Sequence, residues 1–296
     1  MNEPISRRNL LAGAIALGGA RLRPPQRVAA PGPLGRLIAN ERGGYLYVPG
    51  VPFLSFGAVA ADGFEIVRAT FRQPPAFPEG FGAVERHLRA AGRPVQALCG
   101  FEMRNGRQAT VPEFMAFNDR YIATLRTAGV FAGERMPLVR SNLVLSGVES
   151  AHTIHAFTYT RPAASRASRP TFVVAGMPDV RLVDLVVAGK YVGSNTGPQV
   201  VAPGDVSPAG LRQKTMFVLD TIDAVLGTMS AGWRDVTGIQ LYTVEDLHPL
   251  LADVIYPRLG EAARHGIQWH HVRLPVASGD VEIDVRSVSA ELTIDG

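Results

Sequence analysis

The feature that most constrains this chain is a repeat of periodicity: from Gly43 onward it runs strands, helix, strand, helix, strand, strand, and then runs so again. A chain that repeats its pattern is expected to build the same unit twice, because each copy has the same apolar face to bury. In the first half, Tyr45 to Val48 and Phe64 to Phe71 are strand-like. A helix follows Pro78, with Phe81, Val84 and Leu88 at helical spacing, and stops at Ala91-Gly92 with Pro94 beyond. Val95 to Met103 reads as a strand. Pro112-Glu113 opens a second helix with Phe114, Phe117, Tyr121 and Leu125 on one face, ended by Gly129. Leu138 to Leu145 and Thr153 to Tyr159 close the half.

The stretch from Arg161 to Pro170 has no periodicity, is rich in small and polar residues, and is bracketed by prolines, so it reads as a linker between domains over 43–161 and 170–295. Beyond it, Leu182 to Val187 and Tyr191 to Gly193 read as strands. Val218, Leu219, Ile222, Val225, Leu226 and Met229 form the stripe of a helix ending by Gly232. Val236 to Thr243 is a strand, Leu247, Leu250, Leu251, Val254 and Leu259 mark another helix, and Gln268 to Leu274 and Val281 to Val288 are the last strands. The fold class is α+β, each half a mixed sheet with two helices on one face.

With 46% apolar and 19% charged residues over 296 positions, disorder and coiled coil are excluded. The net charge is +4, with basic residues clustered only in the first 36 positions and arginines scattered singly beyond them, which gives no basic stripe for a nucleic-acid backbone. One cysteine, Cys99, excludes an intrachain disulfide and reads as a small buried apolar residue on a strand. His270 and His271 are adjacent on a strand and point to opposite faces, as do His152 and His155 three apart, which argues against shared metal ligation. Gly189 to Gly197 lacks the Lys-Ser/Thr of a phosphate loop and reads as a turn.

The first 36 residues read as a leader. Arg7-Arg8 precedes Ala12 to Ala20, an uncharged run too short to span a bilayer, and Val28-Ala29-Ala30 offers a cleavage site. This is the twin-arginine export pattern, which implies a periplasmic or secreted protein; a basic leader on a cytoplasmic protein is the alternative.

Several motifs recur in order in both halves. They are Arg89-Ala90-Ala91-Gly92, Glu113 to Asn118, and Arg140-Ser141-Asn142 with Ile154-His155-Ala156 in the first; and Ser230 to Val236, Glu245-Asp246-Leu247, Arg273-Leu274-Pro275 and Val281 to Val285 in the second. On these residues the chain, over roughly 45 to 290, resembles the Rid family of YjgF-like enamine and imine deaminases. The resemblance implies two tandem chorismate-mutase-like domains, a three-fold assembly, here a trimer of two-domain chains, and a cleft between neighbouring domains that takes a small imino or oxo acid. It places the family's carboxylate-gripping arginine on Arg140, its helix asparagine on Asn118, and its water-holding glutamate on His155. In the second half the same positions fall on Gly266, Leu251 and Asp284, so that half resembles a degenerate copy that shapes an interface. The family's second-strand serine falls on Ala69 and Ala188.

Physical chemistry supports parts of this site independently. An arginine is the residue of choice for bidentate carboxylate binding in a dehydrated cleft, the alternative for Arg140 being an ordinary ion pair. His155 could activate water near neutral pH or simply pack on its strand. Asn118 could orient substrate or water, or satisfy buried backbone. Ser141, with Asn142 and Tyr159, could line the same cleft. The expected activity is hydrolysis of a carboxylic-acid enamine or imine to a 2-oxo acid and ammonia, with no cofactor or metal implied and no membrane insertion. A non-catalytic carboxylate-binding protein and a biosynthetic helper that manages a reactive imine are the alternatives.

Overall fold

A computed structural model describes residues 34–131, 133–145, 151–165, 169–182, 186–187, 190–191, 200–276 and 279–295. The twin-arginine stretch, Ala188 and most of Gly189 to Gly197 lie outside the described residues. The chain begins with a meander of β1 (Ile38–Asn40), β2 (Tyr45–Val48) and β3 (Gly57–Ala60) and continues into β4 (Phe64–Phe71). Then come α1 (Phe81–Ala90), β5 (Leu98–Asn105), α2 (Val111–Thr127), β6 (Val139–Val144) and β7 (Thr153–Pro162). After the linker run β8 (Phe172–Val174), β9 (Met177–Pro178), the short pair β10 (Val186–Val187) and β11 (Lys190–Tyr191), and α3 (Pro208–Thr228). Last are β12 (Gly238–Tyr242), α4 (Tyr256–Leu259), β13 (Gln268–His270), β14 (Glu282–Ser287) and β15 (Ala290–Ile294).

The helices form where local signals agree. Thr110 and Glu113 cap α2 reciprocally, each side chain taking a backbone N–H, with a proline in the first turn, and Gly129 ends it at φ +73°. Gly92 ends α1 in the same left-handed conformation. α3 begins earlier than its apolar stripe suggests, because Ser207 caps it ahead of Pro208. The last expected helix is broken into a 3-10 turn at His248–Leu250, a π turn at Leu251–Ile255, α4, and a further 3-10 stretch at Gly260–His265. Pro249 and Pro257 lack the N–H that a continuous helix would use, yet Leu247, Leu250, Val254 and Leu259 remain buried.

Apart from the antiparallel pair β10-β11, the described strands form two mixed sheets. One has five strands in the order β15-β4-β7-β5-β6; the other has eight, in the order β1-β2-β3-β8-β14-β12-β13 with β9 also paired to β14. Within them, β4-β7-β5-β6 and β8-β14-β12-β13 share one connectivity, each ending in a parallel pair. The sheets are nevertheless not confined to the two halves of the sequence. The meander containing Tyr45 to Val48 pairs through β3 with β8, and β15, from the chain's end, lies parallel to β4. Both exchanges cover an edge that would otherwise expose unpaired backbone groups. The chain passes from one sheet to the other between β7 and β8, across the Arg161 to Pro170 stretch.

α1 and α2 pack on one face of the five-stranded sheet through Val84, Leu88, Phe117, Tyr121 and Leu125. α3 packs on the eight-stranded sheet through Val218, Leu219, Ile222 and Val225. The faces turned away from these helices are polar and meet around a space of about 20 Å³. There Arg68 forks onto Glu102, with Nε to Oε1 at 2.5 Å and Nη2 to Oε2 at 2.7 Å. Both residues are buried, and Arg104 stands 3.8 Å from the same carboxylate. Among the described residues no helix is long and apolar enough to cross a membrane.

Burial alone would raise the Glu102 carboxyl, but the guanidinium of Arg68, and then that of Arg104, hold it down at about 2. The stability it contributes is present above the ordinary carboxylate range and is lost as pH falls from about 4.5 towards 2. Arg68→Met, which strands this carboxylate, should cost about 3–5 kcal/mol in urea unfolding at pH 7, whereas Arg68→Met with Glu102→Leu should recover most of it. Equal losses in the single and double variants would show that the stranded carboxylate is not the source of the cost.

Candidate functional site

Arg140 and Asn142 alternate with Ser141 along β6, so a strand's period of two sends the first two to one face and the serine to the other. On the Arg140 side, α2 presents Phe114, Phe117, Asn118 and Tyr121 at helical spacing, which puts a fully buried asparagine in an aromatic stripe. Arg140 Nη2 donates to Asn118 Oδ1 at 2.8 Å. Its Cζ lies 4.6 Å from the Tyr121 ring centre, 5.3 Å from that of Phe53, 5.6 Å from Phe117 and 5.9 Å from Phe114. This cage favours a cation and strips it of water. Three polar atoms of the cluster have no protein partner: Arg140 Nη1, Asn118 Nδ2 and the Tyr121 hydroxyl. Buried donors left unpaired cost free energy unless something else accepts from them.

Arg140 lines a cleft enclosing about 70 Å³, walled by Phe53, Phe114, Val180, Leu182, Leu274 and Val276. A second charged group in the cleft comes from the far end of the chain. Val281, Ile283 and Val285 point into the core beneath α3, so Glu282, at the start of β14, points the other way and reaches the cleft. Its carboxyl is buried, accepts the backbone N–H of Asn142, and is pushed up to about 8, first by burial and then by the neighbouring Asp284 carboxylate. Gly176 makes room for it, since a Cβ there would collide with the carboxylate. The cleft therefore joins a fixed cation to a carboxylic acid that keeps its proton at neutral pH.

The structure brings together Arg140, Asn118 and Asn142 and separates the other sequence candidates from them. Ser141 faces the space between the sheets, where its side chain bonds Asp284. His155 lies in that inter-sheet layer too, near Arg104, Glu102, Arg68 and His270, and its imidazole is pushed down to about 4 by burial and then by Arg104. It is neutral at pH 7 and does not line the Arg140 cleft. Tyr159 faces α1, its hydroxyl 3.2 Å from His87 Nε2. Asp284 is held by the Tyr242 hydroxyl at 2.5 Å and by Gln240 Nε2 at 3.2 Å. Gly266 ends a helical stretch at φ +74°, and Leu251 lies in the π turn. Cys99 is buried against Thr158, its thiol pushed up to about 12. His152 packs its ring at a tilt against Phe117 and bonds Asn105 through Nδ1 at 2.7 Å.

Sequence reasoning missed Glu282. The signal was present in Val281-Glu282-Ile283-Asp284-Val285, whose alternation puts both acids on one strand face; only the packing of the sheets decides which of them meets Arg140.

Comparison with known proteins agrees with a deaminase relationship. The family model described as 2-aminomuconate deaminase CnbZ matches residues 37–292. The 2-amino-5-chloromuconate deaminase of Comamonas testosteroni is 35% identical over 261 residues, which are 87% of this chain and 98% of the relative. Among solved structures, a chorismatase aligns over 86% of this chain and 80% of its own at 12% identity, with a TM-score of 0.44. A member of the YjgF/YER057c/UK114 family from Mycobacterium tuberculosis aligns over 44% of this chain and 82% of its own at 17% identity, with a TM-score of 0.22. On the extent of the family match and the identity to the curated relative, the chain belongs to the 2-aminomuconate deaminase CnbZ family.

Proposed function

We propose that this protein hydrolyses a 2-aminomuconate-type acid, a conjugated enamine carrying a carboxylate beside the amine, to the 2-oxo acid and ammonia. The observation that carries the reading is the cleft itself, lined by Arg140, whose buried Nη1 has no protein partner, and by Glu282, which holds a proton between apolar walls. The family and the Comamonas relative supply the substrate class. Arg140 pairs with the carboxylate next to the amine-bearing carbon, and Asn118 fixes the guanidinium in its cage. The apolar walls hold the unsaturated chain.

Glu282 then carries the protons. It donates one to a carbon of the conjugated chain, which converts C=C–NH₂ into a protonated imine. The resulting carboxylate takes a proton from water as the water oxygen bonds to the imine carbon. That proton passes to the amine, the C–N bond breaks, ammonia leaves, and the remaining hydroxyl gives its proton back to Glu282 as the carbonyl forms. Enamine plus water thus yields 2-oxo acid plus ammonia, with Glu282 returned to its acid form. In this reading Glu282, from the second half of the chain, takes the part that the family resemblance gave to His155.

Ammonia release from 2-aminomuconate generated in situ, measured on variants shown to be folded, separates these roles. Glu282→Gln should lower kcat by about 10²–10⁴-fold, while His155→Gln should stay within about fivefold of wild type. Arg140→Met should raise KM by about 100-fold, and Arg140→Lys should restore only part of it, since an ammonium cannot make the forked contact. Wild-type turnover by Glu282→Gln would refute the proton-carrier role. Wild-type kcat should fall as pH rises through about 8, where Glu282 loses its proton. The same raised carboxyl favours the folded state below about pH 4.5, and this contribution is lost as pH climbs to about 8. Glu282→Gln should therefore unfold at higher urea than wild type at pH 9 and show no such advantage at pH 4.

A further inference from the structure

Behind the cleft wall lies a charge cluster that the chemistry above does not use. Lys214, on α3, is fully buried, with Nζ 3.1 Å from Asp179 Oδ2, 3.0 Å from Asp280 Oδ2 and 2.7 Å from the Val201 carbonyl. Asp179 Oδ1 in turn accepts the backbone N–H of Asp280 at 3.0 Å and of Val281 at 3.4 Å. The cluster thus ties together α3, the segment after β9, and the approach to β14.

These segments carry the cleft. Pro178 and Val180, on either side of Asp179, line it, as do Gly279 and Glu282, on either side of Asp280-Val281. Burying a lysine with two carboxylates is a poor way to gain stability, because well-packed apolar side chains of similar volume usually do as well or better. What a buried ionic cluster does provide is one defined geometry, since its partners cannot slip without stranding a charge.

We propose that Lys214, Asp179 and Asp280 form a positioning clamp for Glu282, fixing the start of β14 against the segment after β9 so that the Glu282 carboxyl stays in the cleft beside Arg140. This inference rests on the reading of Glu282 as the proton carrier. The clamp also acts on Glu282 electrostatically. The charged groups that face it are Asp284 on its own strand, Asp179 after β9 and Arg140 on β6; the two aspartates oppose its ionisation and the arginine favours it. Lys214 sits behind Asp179 and partly offsets its charge.

The test is Asp179→Asn, which keeps the size of the side chain and an oxygen to accept the two backbone N–H groups while removing the charge. Protein labelled with ¹³C at the glutamate carboxyl is titrated by NMR, the Glu282 resonance being identified by its loss in Glu282→Gln. The Glu282 midpoint should fall by about one pH unit in Asp179→Asn, and the high-pH limb of kcat should move down with it, while KM stays within about threefold. Asp280→Asn, whose carboxylate is partly exposed, should shift the midpoint in the same direction by a smaller amount and decides the question if Asp179→Asn does not fold. A folded variant with an unmoved midpoint, or a larger KM with an unmoved pH limb, would overturn the clamp. Because the NMR midpoint is read without turnover, a wild-type protein that releases no ammonia would sink the deaminase reading and still leave the clamp to be judged.

Discussion

The rest of the structure depends on a buried layer of charge between two sheets. Most sheet pairs meet through apolar faces that can slide; here a fork within one sheet, Arg68 on Glu102 with Arg104 beside it, faces Asp284, which Tyr242 and Gln240 hold within the other, and Ser141 crosses from β6 to bond Asp284. A shift of one sheet over the other would break the Ser141–Asp284 bond, part Arg286 from Glu291, and carry Asp284 away from the Arg68 and Arg104 guanidiniums that face it, so the layer specifies the relative position of the sheets. That position brings the β6 edge beside β9 and β14, where Gly176 N–H donates to the Arg140 carbonyl at 3.2 Å and Asn142 N–H donates to Glu282. The cleft is the seam of this contact.

Within the seam, one physical cause has two chemical effects. Removing water from the cleft raises Glu282 until it keeps its proton at neutral pH, and removing water from Arg140 strengthens whatever carboxylate pairs with it. The aromatic cage resolves the cost for the arginine, since ring faces attract the guanidinium without offering it a competing anion. The acid and the cation come from opposite halves of the chain. Neither half alone contains the site, which gives a physical reason for the exchange of β1 to β3 and β15 across the sheets: the exchange binds the two halves along the surfaces that must stay in register.

The α1 and α2 boundaries, the main strands of the first half and the α3 stripe were legible because they rest on local signals: caps, glycines in the left-handed region, and periods of 2 and 3.6. The break in the last helix was legible in principle, since Pro249 and Pro257 stand in the sequence, but the apolar stripe concealed it. Arg140, Asn118 and Asn142 were found because they lie on one strand and one helix with consecutive connection. Glu282 was not, because the second half lacks the arginine and asparagine of the resemblance, and because strand alternation assigns faces without saying what each face meets.

The sequence by itself determined the elements, the polar alternation of the strands that become the inter-sheet layer, and the arginine and asparagine that meet beside the cleft, all of which depend on neighbours within a few turns or on one strand. The tertiary structure alone decided which strands share a sheet, that the meander crosses to the other half, that His155 and Ser141 face the charge layer instead of the cleft, and that Glu282 meets Arg140. Those outcomes turn on pairing between positions more than a hundred residues apart, where edge coverage and charge burial are settled for the whole molecule at once.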